Sequence, residues 1–215
     1  MNPGTGILGG TFDPIHYGHL RMADEVGAAL ELAQMRLIPA GNPYHRAAGA
    51  QPASSVHRLA MARLGAAEFP RLTVDPREVL RHGPSYTVET LAGLREDLGS
   101  APLLLLLGAD TFATLPAWKR WQELFGLAHI VLVARPGIDA EAALAPELAD
   151  ALAARRTGDP DLLSRGAGRI YRQVVTPQPI SATRIRELVR ARQPITGMAP
   201  RAVIEYIEIH NLYRN

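Results

Sequence analysis

The sequence predicts an α/β fold: a doubly wound, mainly parallel sheet with helices on both faces. Three observations predict it. Strand-like and helix-like segments alternate from end to end. The densest apolar run is five leucines, Leu103–Leu107, held between Pro102 and Gly108, which suits a strand covered on both faces. No internal repeat or low-complexity linker breaks the alternation, and 215 residues at 47% hydrophobic content suffice for one substantial core. The expectation is a single domain over residues 1–215, with a helical C-terminal part from about residue 181.

Residues 6–10 (GILGG) read as a short buried strand, and residues 19–32 as a helix with apolar residues at helical spacing. Residues 35–40 form a second strand ending in the turn Gly41-Asn42-Pro43. Residues 54–69 are helical, with Ser54 or Ser55 as cap. Residues 71–78 alternate like a strand, and 85–99 return to helix with Gly99 as the stop. After the leucine strand, 117–125 are expected as helix, 129–137 as a buried strand and 139–156 as a helical stretch interrupted by Pro146. Residues 157–168 read as a surface loop, 168–175 as the last strand and 181–192 as a helix. Residues 199–213 close the chain as a helix with Pro200 near its first turn.

Composition excludes several function classes. The formal net charge of +2 is too weak to argue for nucleic acid, and Lys119 is the sole lysine, so nearly all positive charge is arginine. Without cysteine there is no disulfide, thiolate metal site or cysteine nucleophile. The N-terminal residues lack the pattern of a signal peptide, and the leucine run is far too short to span a bilayer. The expectation is a soluble, cytoplasmic protein with no membrane or nucleic-acid partner.

In an open parallel sheet, ligands bind at the carboxyl ends of strands, near the reversal of strand order. That assigns a common rim to residues 10–19, 41–46, 108–114 and 176–186. Gly9 and Gly10 close the first strand, where missing side chains let a ligand approach the backbone. Pro14 sets its own φ and biases Asp13 away from helix, making Phe12-Asp13-Pro14 a fixed turn. A helix beginning near His16 or Tyr17 then presents N–H groups to the loop as an anion site. His16 and His19 share one face of its first turn. Both can donate hydrogen bonds to a phosphate, and either can take up positive charge as anionic charge builds. Packing histidines or a zinc pair are the rival readings; no third ligand is fixed by local spacing, and the glycine-rich turn before the pair favours the anion.

A second cradle is legible at Ile180-Ser181-Ala182-Thr183. Ser181 is a good N-cap, Thr183 adds a hydroxyl, and Arg186 lies one turn along the same helix start.

Together, GGTFDPIHYGH (9–19) and ISATRIR (180–186) resemble the nucleotidyltransferase superfamily marked by H-x-G-H and I-S-S/A-T-x-x-R. Four further segments narrow the resemblance to the bacterial nicotinate-nucleotide adenylyltransferases: IPAGNPYHR (38–46), SYTVETL (85–91), GADTFATLPAWKRWQEL (108–124) and LVARPG (132–137). The order is colinear from Gly9 to about Arg190. The chain departs from that family's pattern at Tyr44 and Arg46, where Pro and Lys are usual, and at Ala182, where a second Ser is commoner. Residues 157–168 also make a longer loop.

The resemblance implies a Rossmann-like fold and transfer of AMP from ATP to nicotinate mononucleotide, giving nicotinate adenine dinucleotide and pyrophosphate. It implies catalytic roles for His16, His19 and Arg186, and ATP contacts from Gly10, Thr11, Phe12, Gly108, Asp110, Ile180, Ser181 and Thr183. Asp110 would meet the adenosine ribose, although helix capping is its ordinary role at such a position. Trp118 would stack on the nicotinate ring, Tyr86 and Thr87 would serve its carboxylate, and His45 and Arg46 would reach toward phosphates. Trp118 as plain core and residues 45–46 as a flexible basic loop remain open alternatives. Mg²⁺ would be held by ATP phosphates and water, with no protein side chain as ligand. The partners implied are ATP and nicotinate mononucleotide, with the protein a monomer or homodimer.

Other readings fit less well. GTGILG (4–9) matches G-x-G-x-x-G but precedes and includes its strand, so it is no dinucleotide fingerprint. The single lysine is followed by Arg120, which removes P-loop chemistry and the lysine-rich second signature of class I aminoacyl-tRNA synthetases. A sister adenylyltransferase acting on nicotinamide mononucleotide or phosphopantetheine, and a binding-only regulator, are the alternatives that survive.

Overall fold

The computed structural model describes residues 4–43, 52–134 and 144–214. Seven strands form one sheet in the order β3-β2-β1-β4-β5-β7-β6, and its pairs β1–β4, β4–β5, β5–β7 and β6–β7 are parallel. Strand order reverses between β1 (Thr5–Gly10) and β4 (Leu103–Gly108): β2 (Gln34–Pro39) and β3 (Leu72–Val74) lie to one side. β5 (His129–Ala134), β7 (Ile170–Val174) and β6 (Arg156–Thr157) lie to the other. This is the expected doubly wound α/β architecture. The chain divides into two compact units that share β1 and β2.

The first unit comprises Met1–Leu8, Glu25–Met35 and Tyr86–Thr176. Its centre is the leucine strand, in register with β5 from Leu104↔His129 to Gly108↔Val133. Leu103–Leu107 and the whole of β5 are buried, as a strand covered on both faces requires. Helices α4 (Thr87–Leu98), α5 (Ala109–Ala113), α6 (Leu124–Leu127) and α7 (Pro146–Arg155) supply Leu91, Leu94, Phe112, Leu124, Leu148 and Leu152 to the core. Gly99 stops α4 at φ +57°, as the sequence predicts.

The second unit comprises Gly9–Asp24, Arg36–Ser85 and Pro177–Asn215. It holds the start of α1 (Tyr17–Ala29), all of α2 (Ser55–Ala66), α3 (Arg77–Leu80), α8 (Ala182–Arg190) and α9 (Arg201–Ile209). α2 packs on α9 and β3, burying Met61, Ala62, Val203 and Ile207. Ser54 caps α2, its Oγ accepting from the His57 N–H.

The structure corrects four elements. The strand expected over 71–78 ends at Val74, because Asp75 accepts from the Arg77 N–H and opens α3 instead. The helix expected over 117–125 breaks into short 3₁₀ turns at Leu115–Ala117 and Trp121–Glu123, with Arg120 between them at φ +52°. Of the helical stretch 139–156, Pro146 begins the helix at its first turn, and residues 139–143 lie outside the described residues. The loop 157–168 carries a 3₁₀ turn, Pro160–Ser164, and is entered from the two-residue strand β6.

Candidate active site

The second unit gathers most of the predicted phosphate-facing residues around the end of β1. Gly9 is exposed with open space where a Cβ would stand, whereas a Cβ at Gly10 would meet the Phe12 ring at 2.8 Å. Gly9 therefore gives the open backbone the sequence suggests, and Gly10 makes room for a ring of its own loop. Phe12 adopts φ +50°, a costly conformation for a bulky residue, and is buried. Its ring lies edge-on to His19, with centroids 5.1 Å apart.

His16 and His19 are stacked, with centroids 3.8 Å apart and planes 25° from parallel. His16 is 5% exposed. Burial holds its pKa down at about 4, and burial followed by the proximity of His16 holds His19 well below the ordinary histidine range. Both rings are therefore neutral near neutral pH. The Nδ1 atoms of both are enclosed and make no hydrogen bond to the described residues, an uncommon condition for buried ring nitrogens. Gly18 explains the spacing: a Cβ there would stand 2.9 Å from the His16 ring and 3.4 Å from the Ile180 carbonyl oxygen. The glycine thus lets the histidine ring and the start of α8 approach one helix turn together. The helix start is less open than the sequence suggests, because the Tyr17 N–H donates to the Met198 carbonyl and the His19 N–H to that of His16.

From the other motif, Ser181 caps α8 by accepting from the Arg184 N–H at 3.2 Å. Arg186 donates through Nη1 to the Asp13 carbonyl oxygen at 2.7 Å and through Nη2 to Thr183 Oγ1 at 3.3 Å. His16, His19, Thr11, Phe12, Ile180, Ser181, Thr183 and Arg186 are thus brought into one unit.

Sequence reasoning missed the group that holds this unit's loops. Arg58, 1% exposed, donates to three carbonyl oxygens: Nη1 to Thr11 at 2.7 Å, Nε to Ala53 at 3.0 Å and Nη2 to Gly41 at 3.1 Å. The loops after β1 and β2 are thereby pinned from within. The signal was present, since Arg58 stands at i−4 and i−7 from Ala62 and Gly65 on the buried stripe of α2. Ser85 also went unnoticed; its Oγ accepts from the Gly41 and Asn42 N–H groups at 3.0 and 3.2 Å. A Cβ at Gly41 would collide with the Glu78 carbonyl, so that turn admits only glycine.

The first unit carries the remaining residues. Gly108 ends β4 and precedes α5, and Asp110 stands exposed in the first turn of that helix. Tyr86 occupies the N-cap position of α4 and Thr87 its first residue. Lys119 Nζ lies 3.9 Å from the Tyr86 ring centroid and 3.0 Å from Glu89 Oε1. Trp118 is half-exposed, its Nε1 donating to Thr114 Oγ1 at 3.3 Å, while Trp121 is the buried tryptophan, edge-on to Phe125. Trp118 is therefore not core. His45 and Arg46 lie outside the described residues. Among the described residues no group of three or more His, Asp or Glu side chains is placed to hold a metal ion, and no helix is long and apolar enough to cross a membrane.

Comparison with known proteins bears on this arrangement. Residues 7–188 match the sequence model of the family described as cytidylyltransferase-like. A protein of Chromobacterium violaceum named "Probable nicotinate-nucleotide adenylyltransferase" is 45% identical over 216 residues, covering 100% of both chains. One of the same name from Halorhodospira halophila is 48% identical over 200 residues, covering 92% of this chain and 89% of its own. Among solved structures, a nicotinic acid mononucleotide adenylyltransferase of Plasmodium falciparum complexed with NaAD shares the fold at TM-score 0.72 and 15% identity, covering 98% of this chain and 97% of its own. The family match over residues 7–188 and the full-length kinship lead to one assignment: the chain belongs to the cytidylyltransferase-like family, among its nicotinate-nucleotide adenylyltransferases.

Proposed function

We infer that the protein transfers AMP from ATP to the phosphate of nicotinate mononucleotide, forming nicotinate adenine dinucleotide and releasing pyrophosphate. Full-length identity near 45% to proteins of that name supports the reaction. The observation that carries the residue roles is the stacked pair of imidazoles beside the Gly18–Ile180 approach, each with an Nδ1 that bonds to none of the described residues.

In this reading an oxygen of the mononucleotide phosphate attacks the α-phosphorus of ATP. The new O–P bond forms as the bond to the bridging oxygen breaks and pyrophosphate leaves. Both reactants are anionic, so alignment and charge neutralisation carry the step and no protein nucleophile is needed. His16 and His19 enter neutral, donate N–H groups to phosphate oxygens, and gain proton affinity only as negative charge arrives beside them. Arg186 and the Thr183 hydroxyl meet the triphosphate from α8, with Ile180 and Ser181 at that helix start. Gly10, Thr11 and Phe12 meet it from the loop after β1. Gly108 and Asp110 bind the adenosine ribose. Trp118 stacks on the pyridine ring, Tyr86 and Thr87 serve its carboxylate, and His45 and Arg46 reach toward phosphate. The donor set present suits a Mg²⁺ carried on the triphosphate with water completing its shell, where it would screen phosphate charge. The same reading takes residues 1–215 as one nucleotidyltransferase domain, monomeric or homodimeric, working in the cytoplasm.

The test is pyrophosphate release by purified protein with ATP and Mg²⁺, comparing nicotinate and nicotinamide mononucleotides. Strong preference for the nicotinate form is expected. Equal or reversed preference keeps the chemistry and removes the carboxylate role of Tyr86 and Thr87; no release with either removes the reading.

A further inference from the structure

The strongest unabsorbed feature of the second unit is the Asp13 carboxylate. It is 3% exposed, and its Oδ1 accepts twice: from the Tyr213 hydroxyl at 2.8 Å and from the Ala53 N–H at 3.1 Å. Its Oδ2 stands 3.9 Å from Arg186 Nη1, the same nitrogen that donates to the Asp13 carbonyl at 2.7 Å. Tyr213 lies 200 residues further along the sequence, after α9, at φ +63°. Burial, and then the Asp13 charge, push its phenol well above the ordinary range, so it stays protonated and donates.

We propose that Asp13 and Tyr213 are positioning residues for Arg186: the tyrosine and the Ala53 amide hold the carboxylate by one oxygen, and the carboxylate and carbonyl of Asp13 fix the guanidinium fork. This rests on the reading of Arg186 as a group that meets phosphate charge. A guanidinium in close contact with a carboxylate would spend its donors on that partner. At 3.9 Å, with Oδ1 occupied by two other donors, the pair orients the fork and leaves it available for phosphate oxygens. Orientation fixed before substrate arrives needs no rearrangement during the reaction, so the benefit falls on the chemical step. Removing the tyrosine hydroxyl takes away one of the bonds that hold Oδ1 and so loosens the carboxylate that orients Arg186.

The test measures turnover with ATP, Mg²⁺ and nicotinate mononucleotide for the parent, Tyr213→Phe, Arg186→Lys and the double variant, each below its melting transition. Tyr213→Phe is expected to lower kcat about tenfold, with KM for either substrate moving less than about threefold. In the Arg186→Lys background, where no fork remains to be oriented, the same change is expected to lower kcat less than about twofold. Equal losses in both backgrounds mean a merely structural role and overturn the proposal, as does an unchanged kcat in Tyr213→Phe. If Tyr213→Phe does not fold, Asp13→Asn is compared in the same two backgrounds, with the same dependence on Arg186 expected. Arg186→Ala separates the two levels. Full turnover there defeats the reading of Arg186; lost turnover there with an unaffected Tyr213→Phe defeats the positioning alone.

Discussion

The candidate site residues of the two units stand in different surroundings. In the second, His16, Asp13 and Arg58 are all buried, and the loops around them are cross-braced by hydrogen bonds to backbone carbonyls and amides. In the first, Asp110 is exposed, Trp118 and Tyr86 are half-exposed, and a lysine on a flexible stem lies over the Tyr86 ring. The contrast follows the division of labour in the proposed reaction. Groups that meet developing charge act best when fixed in a dry setting, whereas groups that recognise a ring or a sugar can settle as the ligand arrives.

The largest effect that tests this contrast is His19→Ala. It is expected to lower kcat by about a thousandfold while the protein melts cooperatively, as removal of a fixed transition-state donor does elsewhere. Near-normal turnover would remove His19 from the chemistry. Next comes the response of stability to acid. In the folded chain His16 titrates at about 4, against an ordinary value of 6.5, so between those values the unfolded chain binds more protons. Stability therefore falls as pH drops through that window, by roughly 3 kcal/mol at its lower end for His16. Urea melts at pH 7 and 4.5 check this, with His16→Asn as reference; an equally steep fall in that variant would show that the imidazole is not the cause. The smallest effect belongs to the exposed side. Trp118→Ala is expected to raise KM for nicotinate mononucleotide roughly tenfold with kcat and melting temperature little changed. A large loss of kcat there would mean that the first unit also positions the reacting groups.

The sequence made the central strands β1, β2, β4, β5 and β7, the cap at Ser54 and the stop at Gly99 legible, because each rests on local pattern: apolar runs, a cap residue, a glycine at a helix end. The braces were not legible. Asp13 and Tyr213 meet across 200 residues, and no short-range spacing announces a hydrogen bond of that reach. The short turns around Arg120 were misread as helix because their apolar residues still recur at near-helical intervals, while the left-handed Arg120 breaks the ladder. Arg58 stood on an apolar stripe in plain view; a basic residue on such a stripe marks a buried charge whose partners must be sought elsewhere in the chain.

Arg58 grips the loop after β1 and the connection after β2 through three carbonyl oxygens, which every amino acid possesses. Those three bonds are therefore blind to the side chains of the segments they hold. Side-chain substitutions after β1 or β2 that spare the backbone would keep these three bonds. The path of these loops is thus held in part from the helix behind them.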